Sequence, residues 1–301
     1  MQPDLDGITV AVIGGDARYL DMIEELLASG IRVNVTGLPV KDGTSGVVLS
    51  SSLVDSLKGV KAVVLPILGI DDKGLLHCVL SEQTFTLTEE IMAALPVKTL
   101  VFTGLAGTLL KQMTASLGLR LIELMNLDEV AILNSIPSSE GVVQMAMEML
   151  PITIHGSSAI VIGFGRTGRT LSRLLWAMGA RTGVVARKTA DMARIIEMNL
   201  TPVSFTEMRS FMGEVDIIFN TVPAPVLTED ILTGIKPGTV IIDLATAPGG
   251  TDFQAAERLG LRAVLTPSLP GRVAPKTAGR ILAKAITGFL AGETAGGLPG
   301  F

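Results

Sequence analysis

The stretch that most constrains this chain is Ala159-Ile160-Val161-Ile162-Gly163-Phe164-Gly165-Arg166-Thr167-Gly168. Its apolar start predicts a buried strand, and Leu171, Leu174, Leu175 and Met178 recur at the spacing of one helix face. Between strand and helix stands Gly-x-Gly-x-x-Gly. The first glycine of such a turn permits tight geometry, and the second lets the backbone approach a pyrophosphate. The third lets the helix pack closely on the strand, and the helix N-terminus then faces the phosphates. With 33 glycines in 301 residues the spacing alone carries little weight. A strand before it and a helix after it make it a dinucleotide site.

Hydrophobic residues make up 48% of the chain, yet no apolar run approaches the ~20 residues of a membrane span. They fall in short runs, at 10–13, 62–65, 217–219 and 240–242. Such runs suit parallel strands covered on both faces, or an oligomer interface. A net charge of −5 without any basic run argues against a nucleic-acid partner. The single cysteine, Cys78, excludes an internal disulfide framework. Together with an N-terminus lacking the features of a signal peptide, it predicts a cytoplasmic protein. His77, beside Cys78, has no partner at ligand spacing, so no metal site is expected.

Strands are predicted at 8–13, 31–36, 61–65, 98–102 and 119–122, with helices after the first and at 88–95 and 105–117. Residues 37–52, rich in glycine and serine, read as loop. Beyond the glycine turn, strands are predicted at 181–186, 215–221, 239–244 and 262–265, and a helix from Pro275 carries an apolar stripe. The tail from Gly292 reads as disordered. The alternation predicts an α/β chain of two doubly wound parallel-sheet domains. The first, residues 1–150, is expected to be flavodoxin-like, to bind the substrate and to be completed by the C-terminal helix at 275–291. The second, 151–274, is expected to be the Rossmann NAD(P)-binding domain, entered through a crossing at 151–157.

Candidate site residues follow from these positions. The cofactor is expected on Gly163, Phe164, Gly165, Arg166, Thr167 and Gly168, and on the loop Thr221-Val222-Pro223. Where an NAD-preferring site carries an acid after its second strand, this chain carries Arg187 and Lys188. Two cations attract a 2′-phosphate, which favours NADP(H) over NAD(H), although a basic pair at a strand end is also simply well solvated. The turn Gly14-Gly15-Asp16-Ala17-Arg18 lacks the three-glycine spacing but opens a helix, a natural anion site. Arg18 there either holds a substrate carboxylate or faces solvent. Ser138 reads as an N-cap with Glu140 in the first turn. The segment from Asn134 to Gly141 is thus either a plain helix start or a second carboxylate site using Ser135 and Ser138. His155 falls before the glycine-turn strand, away from the ligand end of the sheet, and reads as structural.

The segments Ile13-Gly14-Gly15-Asp16-Ala17-Arg18, Asn134-Ser135-Ile136-Pro137, the glycine turn itself, Asp243-Leu244-Ala245, Pro248-Gly249-Gly250-Thr251-Asp252-Phe253, Leu269-Pro270-Gly271 and Val273-Ala274-Pro275-Lys276-Thr277-Ala278-Gly279 together closely resemble the dipicolinate synthase A subunits of spore-forming bacteria. The resemblance runs from the first strand to the C-terminal helix. More distantly, the layout is similar to D-2-hydroxyacid and alanine dehydrogenases. The resemblance to the dipicolinate synthase A subunits implies oxidation of dihydrodipicolinate, formed from a hydroxy-tetrahydrodipicolinate of lysine and diaminopimelate synthesis, to dipicolinate, with NADP the cofactor that Arg187 and Lys188 favour. It also implies sporulation, the mother-cell cytoplasm and a B-subunit partner; a homo-oligomer is expected beside these.

That chemistry asks for two bound carboxylates and for proton loss beside hydride transfer. Gly15, Arg18, Ser135, Ser138 and Lys276 become candidates for the carboxylates, and Asp16 and Lys276 for proton transfer. An ordinary D-2-hydroxyacid dehydrogenase would need a late histidine, and residues 265–277 hold none. A non-catalytic NADP(H)-binding subunit that regulates the B subunit is the remaining alternative.

Overall fold

The computed structural model describes residues 5–295. By its contacts the chain divides into two compact units, one of residues 1–131 and 274–301, the other of residues 132–273.

The first unit builds a six-stranded sheet from β1 (Thr9–Ile13), β2 (Arg32–Thr36), β3 (Val47–Leu49), β4 (Ala62–Val64), β5 (Leu100–Thr103) and β6 (Arg120–Glu123), in the order β3-β2-β1-β4-β5-β6. Every pairing is parallel. Helices α1 (Arg18–Ala28), α2 (Leu53–Ser56), α3 (Glu89–Met92) and α4 (Thr108–Ser116) connect the strands. Alternation along β1 separates the two cores. Val10 and Val12 join Met22, Leu26 and the C-terminal helix on one face, whereas Ala11 and Ile13 join Leu53, Leu57 and Leu110 on the other.

This order is the doubly wound one of dinucleotide folds, not the flavodoxin-like one expected. The difference is β3, an edge strand of three residues inside the stretch read as loop. Val33 to Val35 of β2 pair with it in parallel register. Its Val48 and Leu49 are exposed, so no apolar alternation marks it in the sequence.

Helix α5 (Asp128–Met149) crosses the division at 131/132. The boundary therefore lies well before residue 150. Val142, Val143, Ala146 and Leu150 share a core with β7 (Ser158–Ile162), so 132–150 and the expected crossing at 151–157 both belong to the second unit. Its further elements are α6 (Arg166–Ala177), β8 (Arg181–Ala186), α7 (Thr189–Glu197), β9 (Thr201–Ser204), α8 (Met208–Phe211), β10 (Ile217–Asn220), α9 (Glu229–Leu232), β11 (Val240–Asp243), α10 (Phe253–Arg258), β12 (Arg262–Leu265) and α11 (Leu269–Val273). The sheet is again parallel and six-stranded, ordered β12-β11-β10-β7-β8-β9.

The last helix, α12 (Pro275–Ala295), returns to the first unit. Ala278, Leu282, Ala285, Ile286 and Leu290 form its buried stripe. Each of its fully buried leucines and isoleucines contributes about 1.5–3 kcal/mol. The helix continues past Gly292, where disorder was expected, and residues 296–301 of that expected tail lie outside the described residues. Among the described residues, no helix is long and apolar enough to cross a membrane, and no cluster of potential metal ligands occurs.

Candidate functional site

At the carboxyl end of β7 the three glycines meet three different constraints. Gly163 has φ +99°, and a Cβ there would lie 2.5 Å from Thr221 Oγ1 and 2.8 Å from Val222 Cγ2. Gly168 lies beneath the turn, where a Cβ would collide with the carbonyl oxygen of Gly163. Gly165 is the exception. Its backbone is extended, at φ −79° and ψ −162°, and nothing lies within 4 Å of its Cβ position. The protein does not need a glycine there; the bare backbone is turned to open space. No side chain caps α6, so its first-turn N–H groups remain available.

That space is a cavity of about 650 Å³. Gly163, Phe164, Gly165, Arg166 and Thr167 line one side, Arg187 and Lys188 a second, and Thr221, Val222 and Pro223 a third. Every residue named above for the cofactor is thus brought to one cavity except Gly168, which lies behind it. The Phe164 ring itself is buried among Val184, Ala186, Ile195 and Leu200. The Thr221 hydroxyl donates to Ile162 O at 2.9 Å, tying that loop to the end of β7.

Two charged lining residues escaped the sequence reading. Arg169, one turn after Arg166, stacks 4.8 Å over the Phe164 ring and donates through Nε to Phe164 O at 3.0 Å. Its Nη2 engages Asp191, the cavity's one lining acid among the described residues, at 3.0 Å. The one-turn spacing of Arg166 and Arg169 was the available signal. Arg187 and Lys188, by contrast, are exposed and form no ion pair among the described residues. Lys188 is the N-cap residue of α7. An anion at this corner would meet two free cations and a helix N-terminus.

The corresponding turn of the first unit is closed. Gly15 N–H donates to His77 O at 3.0 Å, and Gly15 O accepts from Val79 N at 3.1 Å. Cys78 Sγ stands 2.6 Å from where a Gly14 Cβ would be. The Gly15 amide is therefore not free for a carboxylate, which corrects that expectation. Burial pushes the Cys78 thiol above its ordinary pKa against a smaller opposite effect of the Gly15 backbone, making it wall rather than nucleophile.

Arg18 does not face solvent; it is 2% exposed. Its Nε and Nη2 each donate to Asp16 at 2.8 Å, a bidentate pair. Lys276 is exposed in the first turn of α12, without an ion pair among the described residues. It precedes by one turn Gly279, which abuts the backbone of Arg18 and Met22. Asp16, Arg18 and Lys276 are thus gathered near one end of the α1/α12 pair.

Ser135 and Ser138 are not at a helix start. Both lie inside α5, which runs on through Pro137. Ser138 Oγ donates back to Asn134 O at 2.9 Å, and buried Ser135 shares a 2.6 Å hydrogen bond with Thr170 Oγ1. The N-cap reading fails because the preceding turns are already helical and the hydroxyls satisfy backbone carbonyls instead.

Comparison with known proteins agrees with this layout. The family model for the N-terminal domain of the dipicolinate synthase A subunit matches residues 9–125, and that for the NAD binding domain of D-isomer specific 2-hydroxyacid dehydrogenases matches residues 135–249. The second unit is accordingly a nicotinamide-dinucleotide-binding domain of the dehydrogenase type. The dipicolinate synthase A subunit of Bacillus subtilis (strain 168) is 38% identical over 288 residues, 95% of this chain and 97% of that protein. The crystal structure of the dipicolinate synthase A subunit from Bacillus halodurans superposes with a TM-score of 0.91 at 39% identity, covering 95% of this chain and 99% of that one. D-lactate dehydrogenase of Escherichia coli, at 15% identity and a TM-score of 0.62 over 96% and 98% of the two chains, shares the fold. By this identity across nearly its whole length, the chain belongs to the family of dipicolinate synthase A subunits.

Proposed function

We propose that the protein is the oxidoreductase component of a dipicolinate synthase, oxidising dihydrodipicolinate to dipicolinate with NADP⁺. The choice of substrate rests on family membership. The choice of cofactor rests on one observation, the free cations Arg187 and Lys188 at the end of β8, where the only lining acid among the described residues is engaged by Arg169. When bound, the nicotinamide supplies the hydride acceptor. The ring also releases one proton and becomes aromatic, so two electrons and two hydrogens leave in all.

The chain's own residues bind, orient and take up that proton. Arg18, held by both oxygens of Asp16, and the exposed Lys276 are the cations proposed for the substrate carboxylates. Asp16 and Lys276 are proposed for proton transfer. Asp16 already accepts three hydrogen bonds from Arg18, two from the guanidinium and one from the backbone N–H, which suits it better to orienting the guanidinium. Ser135 and Ser138, hydrogen-bonded within α5 and to α6, are the weakest members of the proposed substrate set. A B-subunit partner, a homo-oligomeric state and the cytoplasm of a sporulating mother cell complete the reading.

A D-2-hydroxyacid dehydrogenase would need a histidine near the nicotinamide. Here the ring of His155 packs on Gly179, before the start of β7 and away from the glycine turn.

The test is turnover of freshly prepared dihydrodipicolinate by the purified chain, with and without the B subunit, followed by absorbance of the reduced cofactor and of dipicolinate. Arg187→Ala should weaken NADP⁺ roughly tenfold or more, the worth of a charge-assisted hydrogen bond, and leave NAD⁺ unchanged. Equal loss for both cofactors, or for neither, overturns the 2′-phosphate assignment. NADP(H) binding without turnover under either condition favours a regulatory role.

A further inference from the structure

Asp243, the last residue of β11, is fully buried and forms no ion pair among the described residues. A buried carboxylate is tolerated only when hydrogen bonds replace its water. Here four do. Oδ1 accepts from Ala245 N at 2.9 Å, and Oδ2 accepts from Asn220 Nδ2 at 3.0 Å, Gly250 N at 2.9 Å and Thr251 Oγ1 at 2.7 Å.

These donors come from two loops. Ala245, Gly250 and Thr251 are the beginning and end of the loop after β11, so one carboxylate pins that loop at both ends. Asn220 ends β10, and its side chain also grips the next loop, accepting from Val222 N at 3.0 Å and donating to Val222 O at 3.1 Å. The loops then meet backbone to backbone. A Cβ on Gly250 would lie 2.5 Å from Val222 O, and Gly250 O accepts from Val226 N and Leu227 N, each at 2.9 Å.

Both loops line the cofactor cavity, through Thr221, Val222 and Pro223 and through Leu244, Ala245 and Thr246. Asp243 itself does not line it. In a sheet of this order, each half takes one mononucleotide. The β7-β8-β9 half carries the pyrophosphate turn and the cationic corner, which leaves the β10-β11-β12 half for the nicotinamide ribotide.

We propose that Asp243 is a positioning residue that locks the loops at 221–223 and 244–246 into one floor beneath the nicotinamide half of the cofactor. The proposal rests on the dinucleotide reading of the cavity. It predicts an effect divided along the ligand, which a general loss of structure would not produce. Asp243→Asn keeps the shape but turns an amide N–H₂ toward donors.

The experiment titrates the intact chain, its D243N and T251V variants, with NADPH and separately with 2′-phospho-ADP-ribose, which has the same phosphates and adenosine but no nicotinamide. D243N should weaken NADPH about tenfold and 2′-phospho-ADP-ribose less than about twofold. T251V, lacking one of the four donors, should show the same division at about threefold for NADPH. Should D243N fail to fold, T251V carries the test alone. Equal weakening of both ligands, or of neither, overturns the role of Asp243 while leaving the dinucleotide reading intact. If the unaltered chain binds neither ligand, the dinucleotide reading falls and this inference falls with it.

Discussion

Gly165 and Gly168 stand three residues apart in one motif and answer to different demands. A methyl on Gly168 would collide with Gly163 O; a methyl on Gly165 would meet nothing in the protein and would instead enter the cavity. Gly168→Ala should therefore cost about 1–3 kcal/mol of stability, as overpacking does. Gly165→Ala should leave stability within about 0.5 kcal/mol and weaken NADPH roughly tenfold. Urea unfolding followed by the fluorescence of Trp176, the chain's sole tryptophan on α6, measures the first, and cofactor titration the second. The reverse pattern would show that the turn is packed for the fold rather than for a ligand. The sequence made this turn legible because backbone geometry alone dictates its spacing. It could not make Gly15 legible. Whether that amide is free depends on His77, more than sixty residues further along, folding back across it. Ser138 misled for a related reason: Pro-Ser-Ser-Glu is what a helix start looks like, and only the helix beginning at Asp128 turns it into a mid-helix segment.

Long, strongly patterned elements were the readable ones. β1 and β8 lie where the apolar pattern places them, and the stripe on α12 faces the core it suggests. Among the short elements, β3 draws its order from pairing with β2 rather than from its own side chains, and α11 is a single turn where no helix was expected. The α1/α12 contact shows how one position can set the relation of two elements. A Cβ on Gly279 would strike Arg18 O and lie 2.9 Å from Met22 N, so the helices approach at backbone distance. Arg280 adds an ion pair to Glu25 at 2.7 Å on the exposed side, worth little by itself. Gly279→Ala would gain up to about 1 kcal/mol of helix propensity and lose about 1–3 kcal/mol by forcing α12 off α1. The net expectation is lower stability, together with a displaced Arg18–Asp16 pair. Tyr19, the sole tyrosine, is buried on α1 with its hydroxyl on Leu65 O, and its fluorescence during unfolding reads this out. A raised unfolding midpoint would show that the helices separate without cost.

Over the whole molecule, each hydrophobic core draws its residues from one unit, and the two fluorescent reporters divide in the same way: Tyr19 in the first, Trp176 in the second. That separation lets a pH effect be assigned to its source. Asp216, just before β10, has its carboxyl held below the ordinary range. Desolvation raises it, but the Lys236 ammonium at 2.7 Å, the Ser158 N–H at 2.8 Å and the nearby Arg181 together outweigh that. A carboxyl whose native pKa lies below its unfolded value near ~3.9 stabilises the fold above that value. The contribution is lost as pH falls through the native pKa. Asp216→Asn removes the charge and should cost about 1 kcal/mol at neutral pH, the scale of a partly exposed ion pair with one backbone donor. As pH falls through that lowered pKa the unaltered protein loses the same contribution, so the two unfolding curves should converge. The convergence should be read by Trp176, with the Tyr19 transition shifted by neither the substitution nor its pH dependence. A gap between variant and unaltered protein that stays constant from neutral to strongly acidic pH would show that Asp216 acts by shape alone, and that its charge does not tie the amino ends of β7 and β10.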